Sequence, residues 1–346
     1  MLAVFLIGVA IWAFGSVFGA PIRLRLSLIA GLWLLVVVIN LTLPPTASLR
    51  LATGGDAQPW LVLALATALI WAYRTGIRHL RIRAAARSPA TTEQNTALFS
   101  DAELNRYARH VMLREIGGPG QKALKQSKVL VIGAGGLGSP ALLYLAASGV
   151  GTIGVIDDDQ VEGSNLQRQI IHTDDRIGMP KVHSAAQQMQ ALNPFVTVRP
   201  YHRRLTAEDA EPLFADYDLI LDGTDNFDTR YLANRIAVRL GKPLISAAIT
   251  QWEGQISLYD PSRGGPCYEC VFPERPADGL VPTCAEAGVV SPLPGVLGSM
   301  MALEAIKSLT GAGETLRGAL LIYDGLYSET RKISTKPRPG CPACGG

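Results

Sequence analysis

The chain has 346 residues, of which 48% are apolar and 18% charged, well below the roughly 25% charge of an ordinary soluble domain. This composition excludes disorder, a collagen-like fibre and a small disulfide scaffold, and the length suffices for one large domain or two ordinary ones. The net charge of +3 joins unlike parts: residues 1–90 carry eight Arg, no Lys and one acid, whereas residues 91–346 carry 24 bases and 28 acids. A nucleic-acid partner is not expected, because the larger part is acidic.

Residues 2–20 and 26–43 contain no charge, and residues 59–73 form a third apolar run that reaches residue 77 if Arg74 snorkels to the headgroups. A spanning helix needs about 20 apolar residues, so about three transmembrane helices are expected, at 2–20, 26–43 and 59–77. A cleaved signal peptide would have its bases before the first apolar run, and here they follow it. A buried bundle fits poorly with four charges in 73 residues. Arg23 and Arg25 lie between the first two spans, and Arg74, Arg78, Arg81, Arg83 and Arg87 follow the third. The intervening loop, residues 44–58, holds only Arg50 and Asp56. The positive-inside rule then places the N-terminus outside and everything after residue 74 in the cytoplasm, for a multi-pass protein of the cell membrane. This orientation requires an odd number of spans. Residues 78–99 read as a basic and polar linker, and residues 100–346 as the catalytic domain.

Ser100 and Glu103 match a capping box that opens a helix to about residue 114. The apolar run 128–132 reads as a buried strand and leads directly into Gly133-Ala-Gly135-Gly136-Leu-Gly138, followed by a helix to about residue 148 and a second strand ending in Asp157-Asp158-Asp159. Glycines at a strand-to-helix turn let the backbone approach a phosphate, the helix N-terminus supplies free N–H groups, and an acid about 20 residues on can bond a ribose hydroxyl. This is a βαβ nucleotide-binding unit, for a dinucleotide or for ATP. Helices at 180–192, 227–240 and 296–309 alternate with strands at 196–199, 218–221, 244–247, 254–259 and 319–323. That alternation predicts a doubly wound, mostly parallel Rossmann-like α/β sheet with an antiparallel extension.

Several side chains suit phosphoryl chemistry. Ser164, Asn165, Arg168 and Gln169 follow the acids, and Lys181 stands 13 residues after Arg168. Fixed cations stabilise a transferring phosphate. The strand at 218–221 ends in Asp222-Gly-Thr-Asp225-Asn226, at the carboxyl edge where open α/β sheets bind ligands. Asp225 can offer oxygen to Mg²⁺, or it can simply cap the next helix. Cys267 and Cys270 pair with Cys341 and Cys344 as two C-x-x-C units, the donor set of a closed structural Zn²⁺ site. A disulfide framework is the alternative, disfavoured in a reducing cytoplasm. Cys284 is the fifth cysteine, either a nucleophilic thiol or an inert one, with no base beside it in sequence.

Together the glycine motif, Asp157 to Asp159, Ser164 to Gln169, Lys181, Thr224 to Asn226, the two C-x-x-C pairs and Thr283-Cys284 resemble the E1-like HesA/MoeB/ThiF family of adenylyltransferases, over residues 100–346 and none of 1–90. The resemblance implies an enzyme that uses ATP and Mg²⁺ to activate the C-terminal Gly-Gly carboxylate of a ubiquitin-like sulfur-carrier protein, for molybdopterin or thiamine sulfur transfer. It implies an ATP site made of Gly133, Gly135, Gly136, Gly138, Asp157, Asp159, Ser164, Asn165, Arg168, Lys181, Asp225 and Asn226. Arg168, Lys181 and Asp225 are its catalytic groups, and Asp225 is the Mg²⁺ ligand. Arg109, in Arg106-Tyr-Ala-Arg109, matches an arginine that family dimers supply from the neighbouring subunit, which implies a homodimer. Cys284 matches a cysteine that forms a carrier conjugate in some members and is dispensable in others. The alternatives are a tRNA-modifying dehydratase of the same superfamily and an NAD-dependent oxidoreductase. The latter accounts for the glycines and Asp157 but leaves Arg168, Lys181, Asp225 and the thiols without a role.

Overall fold

The computed structural model describes residues 2–87, 98–275 and 287–345. The chain divides into two compact units, Met1–Thr96 and Ala97–Gly346.

The first unit is helical: α1 (Leu2–Val17), α2 (Ile22–Thr42), the short α3 (Ser48–Thr53) and α4 (Gln58–Arg87). Two helical stretches, Ile22–Thr42 and Gln58–Ile77, are long and apolar enough to cross a bilayer. Three were expected. Helix α1 has 16 residues. It reaches about 24 Å at ~1.5 Å per residue, short of a hydrocarbon core of roughly 30 Å. The ranking of the spans is also reversed. The run expected to be the shortest continues through Arg74 as a 30-residue helix, because only Gly76 disfavours helix between there and Arg87. The loop between α2 and α4 is tied to itself: Arg50 donates to the carbonyls of Leu43 (2.7 Å) and Gly55 (3.0 Å), Asn40 donates to Thr53 Oγ1 (2.9 Å), and Trp60 Nε1 donates to the Thr53 carbonyl (3.1 Å).

The second unit opens with α5 (Asp101–Val111) and α6 (Gly117–Gln126). The Ser100/Glu103 capping box forms as expected, though α5 stops short of residue 114. An eight-stranded sheet follows, built from β1 (Lys128–Ile132), β2 (Thr152–Ile156), β3 (Thr197–Tyr201), β4 (Leu219–Asp222), β5 (Leu244–Ile249), β6 (Glu253–Tyr259), β7 (Ala319–Asp324) and β8 (Glu329–Ser334), in the order β3-β2-β1-β4-β5-β6-β7-β8. The first five strands are parallel, and β6, β7 and β8 add on antiparallel. The principal helices are α7 (Gly138–Ser148), α8 (Lys181–Leu192), α9 (Ala207–Ala215), α10 (Phe227–Arg239), the single-turn α11 (Tyr268–Val271) and α12 (Pro292–Thr310).

Strand alternation divides the core into two layers. Val129, Val131, Leu219 and Leu221 point to the face packed by α7, α8 and α12, whereas Leu130, Ile132 and Ile220 point to the face packed by α9 and α10. Both faces are covered, so the central strands read as unbroken apolar runs. The chain leaves β1 toward β2 on one side and later returns to place β4 on the other. The loops that follow β1 and β4 therefore sit side by side at the carboxyl edge, where a doubly wound sheet opens a crevice.

Candidate nucleotide site and thiol cluster

The β1–α7 turn depends on its glycines at two positions. Gly133 has φ +92°, in the left-handed region. At Gly138 a Cβ would lie 1.9 Å from the Gly133 carbonyl oxygen, so only glycine lets α7 start this close to the strand. The β4 loop is within reach: Gly223 N–H donates to the Ile132 carbonyl (3.0 Å), and a Cβ on Gly133 would meet the Gly223 carbonyl oxygen at 3.4 Å.

Asp157, at the end of β2, accepts from the Ala134 N–H (2.7 Å) and the Asp159 N–H (2.8 Å), which ties the glycine turn to the neighbouring strand end. Burial pushes its carboxyl above the usual carboxylate range, against the pull of those two donors and of Lys181. Lys181 opens α8 with its ammonium buried and 2.7 Å from the exposed Asp159 carboxylate. Arg168 donates to Asn165 Oδ1 (3.0 Å), and its Cγ lies 3.8 Å from where a Cβ on Gly136 would stand. Ser164 and Asn165 each contact Glu162 Oε2, at 3.4 and 3.3 Å. The structure thus gathers the four glycines, Asp157, Asp159, Asn165, Arg168 and Lys181 around one turn.

Asp225 and Asn226 divide the roles that sequence left open. The N-cap of α10 is Asn226, whose side chain accepts from the Thr229 N–H (3.1 Å). Asp225 is exposed and, among the described residues, has no hydrogen-bond or ion-pair partner, so its carboxylate is available to a cation. Arg109 is exposed in the last turn of α5 and is not brought into this group. Cys284 lies outside the described residues.

Two supports of the site carry no sequence signal beyond their residue type. Beneath the Thr224-Asp225 turn, the buried Asp222 carboxylate accepts from Thr224 N–H and Oγ1 (3.1 and 2.6 Å) and from Ser246 Oγ (2.8 Å), and it pairs with the buried Arg230 (Nε to Oδ2, 3.2 Å). Arg230 also donates to the Thr224 carbonyl (2.5 Å) and the Ala247 carbonyl (2.8 Å). Against the glycine turn, the buried His172 faces the Ala134 carbonyl and Ser184 Oγ, both at 2.9 Å. Burial holds its imidazole below the usual histidine range, and the charges of Lys181 and Arg176 act the same way, against the bond to Ala134.

The four paired cysteines converge. Sulfur separations are 3.7 Å for Cys267–Cys270, 3.6 Å for Cys267–Cys341 and 3.4 Å for Cys270–Cys344. A disulfide would hold its sulfurs at about 2.05 Å. Four thiolates about 2.3 Å from a tetrahedral Zn²⁺ stand roughly 3.8 Å apart, close to what is seen. Three of the four are buried, and burial pushes the Cys267 thiol up, so a thiolate there calls for a cation. The donor set fits Zn²⁺ and leaves no open ligand position.

Fold and glycine turn are those of a nucleotide-binding α/β protein, and its relatives are named adenylyltransferases, which makes it an enzyme of that type. Residues 107–343 match the ThiF family, and the chain belongs to it. It is 50% identical over 251 residues to the sulfur carrier protein adenylyltransferase of Thermus thermophilus, covering 71% of this chain and 93% of that protein. It is 47% identical over 250 residues to the SAMP-activating enzyme E1 of Haloferax volcanii, covering 72% and 92%. The probable adenylyltransferase/sulfurtransferase MoeZ of Mycobacterium tuberculosis is 49% identical over 257 residues, but the chain spans only 65% of its length. Among solved structures, E. coli MccB with AMPCPP and MccA superposes with a TM-score of 0.61 at 25% identity, over 70% of this chain and 74% of that one. PaaA shares the fold, with a TM-score of 0.61 at 24% identity over 80% and 90%.

Proposed function

We propose that the chain adenylates the C-terminal glycine carboxylate of a ubiquitin-like sulfur-carrier protein. One carrier carboxylate oxygen attacks the α-phosphorus of ATP, the bond to the bridging oxygen of the β-phosphate breaks, and the products are an acyl-adenylate and pyrophosphate. The observation that carries this reading is the placement of Arg168 against Gly136 and of Lys181 on Asp159, beside the Asp157 that holds the glycine turn, in a chain 50% identical over 251 residues to a sulfur carrier protein adenylyltransferase.

In this reading the turn from Gly133 to Gly138 and the N-terminus of α7 receive the phosphates, and Asp157 and Asp159 meet the ribose side. Ser164 and Asn165 steady Arg168. Lys181 exchanges its Asp159 partner for phosphate oxygens, and with Arg168 it stabilises the negative charge that builds on the leaving pyrophosphate. Asp225 is a hard oxygen ligand suited to Mg²⁺, which neutralises phosphate charge when bound. Arg109 serves the site of a second subunit in a homodimer. The four thiols hold Zn²⁺ as a staple between α11 and the chain terminus. Sulfur transfer for molybdopterin or thiamine synthesis follows in a separate step, and Cys284 either takes part there or is dispensable.

The N-terminal unit is read as a membrane anchor. The two spanning-length helices leave large apolar side chains such as Leu34, Leu35, Ile70 and Trp71 exposed, which suits lipid. Arg23 and Arg25 stand in the first turn of α2, where the helix dipole disfavours cations. A requirement for cytoplasmic arginines accounts for them there, and it places the catalytic unit in the cytoplasm.

The test is carrier-dependent exchange of labelled pyrophosphate into ATP by the full chain in detergent. Exchange with at least one carrier from the same cell is expected. Its absence with all of them, from a folded enzyme, would overturn the reading.

A further inference from the structure

The loop Gly133 to Gly138 has two residues with side chains, Ala134 and Leu137. Ala134 is held by both of its backbone polar groups. Its N–H goes to Asp157, and its carbonyl faces Nε2 of His172 at 2.9 Å. The other ring nitrogen, Nδ1, lies 2.9 Å from Ser184 Oγ. His172 is 5% exposed and Ser184 wholly buried. Because a carbonyl only accepts, Nε2 carries the proton, and the neutral ring accepts at Nδ1 from the Ser184 hydroxyl.

Ser184 stands on α8, one turn after Lys181, which opens that helix. The same helix is clasped again by Arg176, whose guanidinium donates to the Ser184 carbonyl (3.2 Å) and to Gln188 Oε1 (3.3 Å). On the other side, the His172 N–H donates to the Gln169 carbonyl (3.1 Å), in the turn that lays Arg168 beside Gly136. The imidazole therefore joins the glycine turn to the Lys181 helix, and the backbone of the same residue ties in the Arg168 turn. A buried planar ring with both nitrogens engaged fixes these separations more tightly than packing alone, because each bond has its own direction.

We propose that His172 is a positioning residue for adenylation, holding the glycine turn at a fixed separation from the helix that presents Lys181. The proposal rests on the adenylation reading above. It assigns His172 no contact with the nucleotide. Its loss should be felt where the pieces must act together, in ATP binding and in the rate of adenylate formation.

The test uses the full chain in detergent, with His172→Leu, His172→Gln and Ser184→Ala. Binding of ATP by calorimetry, the KM and kcat of pyrophosphate exchange, and the melting temperature without nucleotide are measured for each. Glutamine can place an amide N–H near the position of Nε2 and keep the bond to Ala134, whereas leucine loses both bonds. His172→Leu is expected to weaken ATP binding and raise KM about tenfold, the equivalent of two neutral hydrogen bonds at about threefold each. His172→Gln is expected to recover most of that loss, to within about threefold of the parent, and Ser184→Ala to lose about threefold, since a neutral bond is worth this much. If His172→Leu does not fold, the glutamine and Ser184 variants decide. The proposal is overturned if the variants melt lower while ATP binding and KM stay within twofold of the parent. It is also overturned if glutamine loses as much as leucine. A parent enzyme that binds no ATP overturns the adenylation reading itself, whereas a parent that binds ATP with indifferent variants overturns only the role of His172.

Discussion

The guanidinium of Arg230 and the carboxylate of Asp222 lie 3.2 Å apart, both buried, with Asp222 wholly enclosed under the turn that carries Asp225. Both partners are bonded further: Asp222 by Thr224 and Ser246, and Arg230 through Nη2 to the carbonyls of Thr224 and Ala247, with the Tyr268 ring 5.8 Å from the guanidinium carbon. Removing one partner strands the other charge in the interior. Arg230→Met is expected to destabilise the catalytic unit by about 3–5 kcal/mol. Urea unfolding of the full chain followed by tryptophan fluorescence checks it. Arg230→Met/Asp222→Asn should recover part of the loss, because no unpaired charge remains.

The glycines of the first loop separate two requirements that a motif merges. A Cβ at Gly138 meets backbone at 1.9 Å, whereas one at Gly135 finds only Gln169 Nε2, at an ordinary 3.7 Å. Gly138→Ala must displace α7 from β1, at a cost of about 1–3 kcal/mol in stability. Gly135→Ala should melt like the parent, yet it adds a methyl group where phosphate is expected to approach the backbone, and it should weaken ATP binding by tenfold or more. Thermal melting and calorimetry on the same two proteins separate the cases. Equal melting of both would contradict the geometry.

Much of this architecture was legible because buried parallel strands are runs of Val, Ile and Leu, and because the glycine turn follows one of them without a gap. What escaped notice lacked such a pattern. Strand β8 is exposed along its whole length and joins the sheet only through its register with β7, Ala319 opposite Ser334 to Asp324 opposite Glu329. Helix α6 begins Gly-Gly-Pro, and α9 carries Pro212, both weak helix signals that tertiary packing of Leu124 and Phe214 overrides. In the site, residue types near the motifs were readable. The pairings of Arg230 with Asp222 and of His172 with Ala134 join segments that only the fold brings together. The fate of Asp225 was open because the sequence allowed it either to hold a cation or to cap α10, and the cap falls one residue later, on Asn226.

Helix α5, which carries Arg109, has a pH-dependent anchor. The Glu103 carboxylate accepts from Ser100 N–H and Oγ, each at 3.0 Å, and forms an ion pair with Lys125. Burial alone would raise its pKa, but these donors outweigh burial and hold it below the usual carboxylate range. A lowered carboxyl pKa means that the unfolded chain takes up the proton first. The stabilisation is complete above the unfolded pKa and is lost as pH falls through the folded one. Glu103→Gln should therefore cost about 1 kcal/mol at pH 7, the loss of the ion pair with Lys125, since glutamine can still close the capping box, and progressively less on acidification. Melting curves of both proteins from pH 7 to pH 3 should converge. A gap that stays constant with pH would show that the carboxylate charge contributes nothing.

The thiol cluster should bind one Zn²⁺ per chain. Metal analysis of the purified enzyme checks the stoichiometry, and Cys341→Ser should lower it. Since Cys267 caps α11 and Cys270 lies within it, and the Tyr268 N–H is held by Asn234 Oδ1 at 2.8 Å, removal of the metal should loosen α10 as well as the chain terminus. A lower melting temperature is expected on chelation, with recovery when Zn²⁺ returns. Cys284→Ala should leave both the metal content and pyrophosphate exchange unchanged.

If the N-terminal unit is a membrane anchor, as proposed, its topology turns on α1, the helix that falls short. If α2 and α4 alone crossed, the Arg23/Arg25 turn and the arginines from Arg74 onward would still share a side, but α1 would lie on that side too, with the N-terminus in the cytoplasm. If α1 crosses, the N-terminus is outside. Apolar residues continue past its end through residues 18–20, which lengthens the available span without more helix. The α2–α4 loop is expected outside in either case. Its one base, Arg50, is held by the carbonyls of Leu43 and Gly55 and is outnumbered by the two arginines in the first turn of α2 and the five from Arg74 to Arg87. A reporter fused after Arg87 should be cytoplasmic, and one inserted between residues 44 and 58 should be external. One placed before Met1 decides the crossing of α1 and is expected outside. If the Met1 reporter proves cytoplasmic while the other two behave as stated, the anchor is a two-helix hairpin and α1 lies along the membrane surface.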